Sequence, residues 1–336
     1  MKKILVTGGA GFIGSNFVHF IKKRQPGSQI LVLDKLTYAA NRKNLTGVEH
    51  KFIKGDICDF DIVQKVITGV DWIVHFAAES HVDRSIYPDA ARIFVQTNIE
   101  GTAVLLEAAK LEWGKRNKPK NFRFLYVGSD EEYGSIEKGS FSEKDQLIPS
   151  SPYSSTKASG SLLTLSFYKS FDLPVLVTRC TNNYGPYQHV EKFIPRSITN
   201  LLTGQKIKLY GKGENVRDWI FVNDHLEGIF RVLKKAKTGE IYNIGADQEY
   251  PNIKIAKILS QELGKDYRQW IEFVPDRPGH DFRYSVSIAK IKKLDWRPKI
   301  DLKKGLKISI DWYKNQPDFW QKQKRETEKF YQKIGR

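Results

Sequence analysis

The first 180 residues of the chain alternate regularly between two kinds of segment. Six short runs rich in β-branched and aromatic residues are separated by amphipathic segments: KILVTG, QILVLD, KFIKGD, WIVHFAA, FRFLYVGS and LPVLVTRC. Runs of this length predict strands, and helical segments between consecutive strands predict parallel pairing, because each connection has to cross over the sheet. We therefore expect an α/β fold built on a doubly wound parallel sheet.

Beyond residue 180 the pattern becomes irregular. Predicted short strands, KIKLYG, RDWIFV, EIYNIGA and WIEFVP, are mixed with predicted helices, FIPRSITNLLTG, NIKIAKILSQELG and DLKKGLKISIDWYKN. This mixture predicts a smaller α/β lobe. We assign residues 1–180 to a first domain, to which segments at about 218–246 return, and residues 181–217 and 247–336 to a second domain. No low-complexity linker separates the two, so we expect them to pack closely around a cleft.

The composition argues against several classes of protein. The chain has 55 Lys and Arg against 38 Asp and Glu, a net charge of +17. The basic clusters at 22–24, 115–120, 234–237 and 322–325 lie beside helical patterns and lack interleaved aromatic residues, which predicts solvated faces and no nucleic-acid partner. No uncharged apolar run reaches about 18 residues, so no membrane span is predicted. The N-terminus turns glycine-rich after a few apolar residues, which disfavours a signal peptide.

Cysteine usage agrees with an intracellular protein. Cys58 and Cys180 fall in strand-like surroundings and have no paired spacing. They predict neither a disulfide framework nor a metal site, and they suit the reducing cytoplasm.

A glycine-rich turn joins the first predicted strand to the first predicted helix. In TGGAGFIG the residues Gly8, Gly11 and Gly14 recur every three positions. Glycines allow a tight turn and a close approach of the backbone to a pyrophosphate, which then lies at the positive end of the helix. Asp34, at the end of the second run, is placed to accept both ribose hydroxyls and to repel a 2′-phosphate. This indicates a Rossmann-type domain that binds NAD in preference to NADP, a preference that the adjacent Lys35 can soften.

Tyr153 and Lys157 in SPYSSTKAS are four residues apart, so on a helix both project from one face. A lysine ammonium near a phenol stabilises the phenolate and lowers its pKa from about 10, which allows the tyrosine to act as a base. Ser129 ends the fifth predicted strand. Together the three residues resemble the Ser-Tyr-Lys set of the short-chain dehydrogenase/reductase superfamily.

The resemblance extends to one family within that superfamily. In order and over nearly the full length, these segments resemble the dTDP-glucose 4,6-dehydratases: TGGAGFIGSNF, LVLDKLTYAANRKNL, GDICD, FAAESHVDRSI, SDEEYG, SPYSSTKAS, TRCTNNYGPYQHVEKFIPR, LYGKGENVRDWIFVNDH and RPGHDFRY. The resemblance implies an NAD-binding first domain, a nucleotide-sugar-binding second domain and a homodimer. It also implies that NAD is consumed and regenerated within one turnover.

An acidic pair follows Ser129. Oxidation of a sugar C4 hydroxyl needs only Ser129, Tyr153, Lys157 and NAD, whereas elimination of water across C5 and C6 also needs a base and an acid. In the family the aspartate is the acid and the glutamate the base, which carries over to Asp130 and Glu131. Because neighbouring carboxylates repel, one of the two pKa values is expected to rise.

Three positions around this pair depart from the family pattern. Gly128 stands where the family usually has another hydroxyl, Ser129 where it has threonine, and Glu132 where it has a small apolar residue. Serine keeps the hydroxyl. On an extended backbone Glu132 points away from Glu131, so we expect it to be partly exposed or paired with a Lys or Arg.

The motifs and the resemblance together define a predicted binding site. The predicted cofactor-binding residues are Gly8, Gly11, Phe12, Ile13, Gly14, Asp34, Lys35, Thr37, Asp56, Ile57, Ala77, Ala78, Tyr153 and Lys157. The predicted substrate-binding residues are Ser80, His81, Asn182, Glu191, Lys192, Arg217, Asn252, Arg277 and His280. His81 and Asp83 in ESHVDRS also fit a purely structural role.

Three alternatives to dehydration of dTDP-glucose remain. The chain fits a 4,6-dehydratase of UDP-hexose or another nucleoside diphosphate hexose. It also fits a C4 epimerase, against which the Asp-Glu pair argues. From a different class, it fits an NAD-responsive binding or regulatory module, against which the complete set of catalytic residues argues.

Overall fold

The computed structural model describes residues 2–87, 89–276 and 279–333. Its strands are β1 Lys3–Thr7, β2 Gln29–Asp34, β3 Lys51–Lys54, β4 Trp72–His75, β5 Arg123–Ser129, β6 Val175–Cys180, β7 Asn182–Tyr184, β8 Ile207–Tyr210, β9 Val216–Phe221, β10 Ile241–Ile244, β11 Glu249–Pro251 and β12 Ile271–Val274. Seven of them form one sheet in the order β10-β6-β5-β4-β1-β2-β3, and all its neighbouring strands are parallel. The predicted doubly wound parallel sheet is confirmed, and the six sequence runs form β1 to β6.

Helices cover both faces of this sheet and build the second lobe. The α-helices are α1 Phe12–Arg24, α2 Phe60–Ile67, α3 Val82–Ser85, α4 Ala91–Val95, α5 Gly101–Lys115, α6 Pro152–Phe171, α7 Phe193–Leu202, α8 Val222–Lys235, α9 Asn252–Glu262, α10 Tyr267–Trp270, α11 Ala289–Lys292, α12 Leu302–Asn315 and α13 Pro317–Lys333. A π-helical turn, Gln96–Glu100, joins α4 to α5, and short 3-10 turns lie at Arg42–Leu45 and Asp130–Glu132. Within the described residues, no helix is long and apolar enough to cross a lipid bilayer.

Alternation along the strands divides the core into two layers. On β1, Ile4 and Val6 face one side of the sheet, where they pack with residues of α1 and α8, and Leu5 faces the other side, where it packs with residues of α2, α5 and α6. Successive side chains of a strand point to opposite faces, so a strand that is apolar at every position has to be covered on both. This requirement explains why the sequence runs are continuously apolar.

The segment around the predicted domain boundary is shared between sheets. β9 pairs with β7 and β11 in a three-stranded sheet of the second lobe. The following helix α8 packs against α1, and β10 extends the large sheet beside β6. A third apolar cluster, which includes Ile198, Leu209, Trp219 and Leu306, forms the core of the second lobe.

The large sheet has one point at which its connections diverge. β1 pairs with β2 on one side and with β4 on the other, so the chain leaves this position in opposite directions. In open α/β sheets a crevice opens at such a point, outside the carboxyl ends of the strands. The predicted glycine-rich turn and Ser129 both lie at these carboxyl ends, after β1 and at the end of β5.

Candidate active site

The glycine-rich turn after β1 has no room for side chains. Gly8 has a φ of +68°, and a Cβ at this residue would lie 2.6 Å from the backbone nitrogen of Ala77. A Cβ at Gly14 would overlap the carbonyl of Gly8. The turn therefore packs against the loop after β4 and against the start of α1, and it leaves backbone N–H groups and a bare surface toward the crevice.

A cavity of about 400 Å³ lies over this turn. The described side chains and backbone that line it include every predicted cofactor-binding residue: Gly8, Gly11, Phe12, Ile13, Gly14, Asp34, Lys35, Thr37, Asp56, Ile57, Ala77, Ala78, Tyr153 and Lys157. Its size lies within the range of small-molecule sites. The arrangement fits a dinucleotide, because the glycine turn offers the close backbone approach that a pyrophosphate needs and Asp34 lies at the adjoining strand end.

Asp34 is held at the cavity wall by backbone hydrogen bonds. Its Oδ2 accepts from the N–H of Ala10 (2.9 Å) and its Oδ1 from the N–H of Leu36 (2.8 Å). Burial raises its pKa, and these two hydrogen bonds act in the opposite direction. A carboxylate has about four acceptor positions, so capacity for two hydroxyl donors remains.

Lys35 pairs with a neighbouring carboxylate. Its Nζ lies 2.6 Å from Oδ2 of Asp56, at the end of the loop after β3. The hydrogen bond to Asp56 raises the pKa of Lys35. Its positive charge is therefore already balanced at the edge of the cavity, which limits the attraction it can offer to a 2′-phosphate.

The helix that carries Tyr153 begins with a well-formed cap. The hydroxyl of Ser151 accepts from the N–H of Ser154 (3.1 Å), and Pro152 occupies the first helical position, where its missing N–H costs nothing. Tyr153 and Lys157 therefore lie in the first two turns of α6, buried against β5 and on the wall of the cavity.

The electrostatics of Tyr153 differ from the prediction. Burial raises its pKa well above the usual value, the charge of Glu131 adds to this increase, and a hydrogen bond with Ser129 opposes it. Lys157 donates to the carbonyl of Val127 (2.7 Å) and lies 4.3 Å from the ring centre of Tyr126, and burial lowers its own pKa to about 8. The expected decrease in the pKa of Tyr153 is therefore wrong for the described chain, because burial is the largest influence on this pKa and it acts in the opposite direction.

Asp130 and Glu131 project from the 3-10 turn that follows β5. Asp130 is 3% exposed, and its Oδ1 accepts from the hydroxyl of Ser129 at 3.3 Å. Burial raises the pKa of Asp130 well above its usual range, and the charge of Glu131 raises it further. The predicted increase in one pKa of the pair is confirmed, although burial contributes more to it than repulsion. The direction of this shift favours the protonated form of Asp130, as an acid in catalysis requires.

Glu132 does not have the surroundings that the sequence predicted. It is fully buried, and its Oε2 lies 2.7 Å from Nε of Arg179 on β6. Pairing with an arginine is confirmed, but partial exposure is wrong. The backbone here is a 3-10 turn instead of an extended segment, which directs Glu132 inward beneath Gly128.

A second cavity, of about 200 Å³, lies beside the first and between the two lobes. The described residues of the predicted substrate set all line it: Ser80, His81, Asn182, Glu191, Lys192, Arg217, Asn252 and His280. Arg277 lies outside the described residues. Glu131, Ser80, Asn182, Glu191 and Lys192 line both cavities, so the acidic pair lies where they meet.

Several polar atoms in this second cavity are buried without a partner. Within the described part of the chain, Oδ1 of Asn182, Oδ1 of Asn252 and Nδ1 of His81 make no hydrogen bond. Burial lowers the pKa of His81 to about 4, so its ring is neutral at neutral pH. Buried polar groups are normally hydrogen-bonded, so these atoms indicate space for a polar ligand.

Other predicted substrate residues are held by protein groups. Arg217 donates to the carbonyls of Asp281 (2.8 Å) and Phe282 (3.1 Å) and stacks on the ring of Tyr284 at 4.2 Å. Lys192 donates to the carbonyl of Ser80 (2.6 Å). These contacts fix the direction in which each cation approaches the cavity.

Glu191 lies at the junction of the two cavities and is 3% exposed. Its carboxylate accepts from the hydroxyl of Tyr38 (2.8 Å) and from Nε of Arg84 (3.0 Å). Burial opposes ionisation of Glu191, but basic neighbours that include His81 lower its pKa to about 2. Tyr38 and Arg84 were not predicted, and they connect the cofactor side of the cleft to the substrate side.

The C-terminal helix contributes a wall that sequence reasoning missed. Tyr331 on α13 lines the second cavity and donates to Oδ2 of Asp83 at 3.1 Å. Arg196 on α7 stacks on the Tyr331 ring at 3.6 Å and forms two hydrogen bonds with Glu328 (3.2 and 3.1 Å). The sequence does contain a pattern that could have predicted this helix. In a strongly charged segment, the buried residues Trp320, Lys324, Thr327 and Tyr331 recur with a helical period.

Comparisons with known proteins agree with this geometry. The family model described as GDP-mannose 4,6 dehydratase matches residues 5–309. The dTDP-glucose 4,6-dehydratase of Streptomyces niveus is 45% identical over 328 residues, which cover 95% of each chain. This chain is a member of the dTDP-glucose 4,6-dehydratase family.

Solved structures extend the family assignment to the fold. The crystal structure of the dTDP-glucose 4,6-dehydratase DesIV from Streptomyces venezuelae, solved with NAD bound, is 44% identical and superposes with a TM-score of 0.90, covering 96% of this chain and 99% of that one. UDP-glucuronic acid 4-epimerase from Bacillus cereus is also similar, at 29% identity and a TM-score of 0.85 over 93% and 99% of the two chains. Dehydratases and epimerases therefore share this scaffold, and side chains in the cleft have to distinguish them.

Proposed function

We propose that this protein catalyses the NAD-dependent dehydration of dTDP-glucose to dTDP-4-keto-6-deoxyglucose. The observation that carries the proposal is the buried Asp130, whose pKa is raised, beside Glu131, which lines both the dinucleotide cavity and the second polar cavity. The relatives named as dTDP-glucose 4,6-dehydratases support the choice of substrate.

The first step is oxidation at C4 of the glucose. NAD, when bound, would supply the acceptor for the C4 hydride and the donor that gives it back at C6, and Glu131 returns to C5 the proton that it removed there. Tyr153 takes the proton from the C4 hydroxyl, and Ser129 donates a hydrogen bond to the same oxygen. Lys157 lies one turn further along α6, where its ammonium would stabilise the phenolate.

The second step is loss of water across C5 and C6. The new C4 ketone makes the C5 proton acidic, and Glu131 removes it. The electron pair of the broken C5–H bond forms the C5–C6 double bond, the C6–O bond breaks, and Asp130 protonates the departing hydroxyl to give water. Only a carboxyl that keeps its proton near pH 7 can take this role, which agrees with the raised pKa of Asp130.

The second cavity is suited to the nucleoside diphosphate. Arg217, Lys192 and Arg196 bring positive charge to its wall, and the unpaired oxygens of Asn182 and Asn252 provide hydrogen-bond acceptors. Guanidinium groups match phosphate oxygens in charge and geometry.

A substrate comparison tests the proposal. The purified protein is incubated separately with dTDP-glucose, UDP-glucose and GDP-mannose, and the 4-keto-6-deoxy product and the C4 epimer are measured. We expect the keto product with dTDP-glucose at a rate at least tenfold above the other two. Product mainly from UDP-glucose or GDP-mannose would change the substrate, and an epimer without loss of water would replace dehydration by epimerisation.

We further infer that the protein is a homodimer that associates through α5 and α6. These helices pack side by side on one face of the sheet, and Leu111, Leu162 and Phe171 on them are 40%, 57% and 44% exposed. Ser155 and Ser166 share the exposed side of α6 with Leu162, and small residues allow a second helix to approach closely. Sedimentation should give twice the chain mass of 38.7 kDa, and Leu162→Glu should give the single-chain mass. A wild-type protein that sediments as one chain would contradict this.

We place the reaction in the cytoplasm. The support is chemical, because Cys58 and Cys180 are both free thiols. Free cysteines persist in a reducing compartment.

A further inference from the structure

The buried carboxylate of Glu132 makes three hydrogen bonds. Its Oε1 accepts from the backbone N–H of Ser129 (2.9 Å), and its Oε2 accepts from the hydroxyl of Ser161 (2.6 Å) and from Nε of Arg179 (2.7 Å). These donors belong to β5, α6 and β6. A buried charge is tolerated only when it is paired and hydrogen-bonded in this way.

Gly128 leaves the space that this carboxylate occupies. A Cβ at residue 128 would overlap Oε1 of Glu132 and would approach the carbonyl of Thr178 to 2.9 Å. The hydroxyl side chain that the family usually carries here is therefore incompatible with the observed position of Glu132. The two departures from the family pattern, Gly128 and Glu132, are therefore linked, because the glycine leaves the space that the glutamate carboxylate fills.

Arg179 continues the network away from the site. Its Nη1 donates to the hydroxyl of Tyr133 (2.9 Å), and Tyr133 donates to Oδ1 of Asn243 on β10 (2.9 Å). The guanidinium also lies 4.7 Å from the centre of the Tyr133 ring. The charge of Glu132 is thus anchored through β6 to the edge of the sheet, which restricts its movement.

This network fixes the start of the 3-10 turn Asp130–Glu132, which carries the acidic pair. Ser129 supplies the hydroxyl of the site, its N–H is fixed by Glu132, and Asp130 and Glu131 are the next two residues. The hydroxyl of Ser129 accepts from the N–H of Glu131 (3.3 Å), so the turn is closed from both directions as a capping box. Small displacements of catalytic groups are costly for turnover, so the rigidity of this turn matters for chemistry.

We propose that Glu132, admitted by Gly128 and neutralised by Arg179, is a positioning residue that fixes Ser129, Asp130 and Glu131 for both chemical steps. The proposal rests on the proposed function. Glu132 is fully buried beneath the turn and does not line either cavity within the described residues, so it acts through its neighbours.

The first test removes both charges and the hydrogen bonds of the carboxylate while keeping the apolar volume. Glu132→Leu alone would leave the guanidinium of Arg179 buried without its carboxylate, so the test variant is Glu132→Leu/Arg179→Met. We expect kcat to fall at least tenfold, with the KM for dTDP-glucose and the Kd for NAD within twofold of wild type. A merely structural role would lower the melting temperature and leave kcat of the folded fraction unchanged.

A matched control is an ion pair at the opposite end of the sheet. Asp71 and Arg116 lie 2.9 Å apart near the amino end of β4, away from both cavities. Asp71→Leu/Arg116→Met should lower thermal stability and leave kcat within twofold. If Glu132→Leu/Arg179→Met behaves like this control, the proposal is overturned.

A second test covers the case in which that variant does not fold, and it keeps both charges of the pair. Gly128→Ala is made in wild type and in Glu132→Asp, whose shorter side chain draws the carboxylate back from residue 128, and the effect of the added methyl on kcat is compared. We expect at least a tenfold decrease in wild type and less than a threefold decrease in Glu132→Asp, which is a direct measure of coupling. Equal effects in both backgrounds would show that Gly128 and Glu132 are independent, and they would refute the proposal.

The assay separates this proposal from the proposed function. C4 oxidation, measured as reduction of bound nicotinamide, is required for dehydration and for epimerisation alike. If wild type epimerises without losing water, the proposed function is wrong, and the same variants are compared by C4 oxidation. If they then oxidise C4 as fast as wild type, the positioning role of Glu132 is wrong as well.

Discussion

The most informative perturbation replaces each carboxyl of the acidic pair by its amide. Asp130→Asn and Glu131→Gln keep the size of the side chains. In Asp130→Asn the amide oxygen can still accept from the hydroxyl of Ser129, which lies 3.3 Å from Oδ1 in wild type. Burial raises the pKa of Asp130 and so disfavours its charged form, and a neutral amide is therefore suited to the same surroundings. Both variants are therefore expected to fold.

The magnitude follows from the role assigned to each group. A positioned general acid or base contributes about 10²- to 10⁴-fold to a rate, or roughly 2.7 to 5.4 kcal/mol of activation free energy at about 1.36 kcal/mol per factor of ten. We expect each variant to form the 4-keto-6-deoxy product at least about a hundredfold more slowly. C4 oxidation uses Tyr153 and Ser129 instead, so reduction of bound NAD on mixing with dTDP-glucose should persist in both.

The assay is rapid mixing with two readouts, nicotinamide absorbance and product formation. Tyr153→Phe is the matched control, because it should block the absorbance change itself. Wild-type product rates in both amide variants would refute the elimination mechanism and would leave the acidic pair with a structural role only. Loss of the absorbance change in both variants would show that the pair acts before elimination.

Three further predictions follow from other parts of the site. Tyr153→Phe should reduce turnover by on the order of 10²-fold or more with NAD and substrate affinities nearly unchanged, and near wild-type turnover would exclude Tyr153 as the base. NAD should bind to cofactor-free protein at least about tenfold more tightly than NADP, because Asp34 repels a 2′-phosphate and Lys35 is paired with Asp56. Calorimetry should give a difference in binding free energy of about 1.4 kcal/mol, and equal affinities would contradict this prediction. Tyr331→Ala should raise the KM for dTDP-glucose several-fold without changing the Kd for NAD, because Tyr331 supports Arg196 and Asp83 only on the substrate side, and an unchanged KM would remove α13 from the site.

Local patterns explain what could be predicted from the sequence. Most of the strands β1 to β6 are short, largely apolar runs, and such runs are distinctive because both faces of a parallel sheet are buried; the edge strand β3, KFIK, is the exception. The glycine spacing of the turn after β1 and the four-residue spacing of Tyr153 and Lys157 are also local. Each of these features depends on residues fewer than about ten positions apart, so it can be recognised directly in the sequence.

Contacts between distant segments explain what was missed. Tyr331 meets Asp83 across 248 residues, and Arg196 meets Glu328 across 132. Sequence spacing does not report which distant residues meet, and the buried helical period of α13 is obscured by so many charged residues that the segment resembles a solvated helix. The predicted direction of the Tyr153 pKa shift was wrong for a related reason. Burial depends on the whole packed structure, and the four-residue spacing to Lys157 carries no information about it.

The difference from the family pattern at Glu132 can be explained only from the three-dimensional structure. Gly128 and Glu132 each looked like an isolated difference from the family, and a charged residue after a catalytic pair suggested partial exposure. In the fold the missing side chain at 128 and the long side chain at 132 occupy the same volume, and Arg179 on the neighbouring strand supplies the opposite charge. Since a buried carboxylate without a partner costs several kcal/mol, neither the glutamate nor the glycine is free to change alone. Gly128, Glu132 and Arg179 are therefore constrained together. Single substitutions will overstate the contribution of each residue.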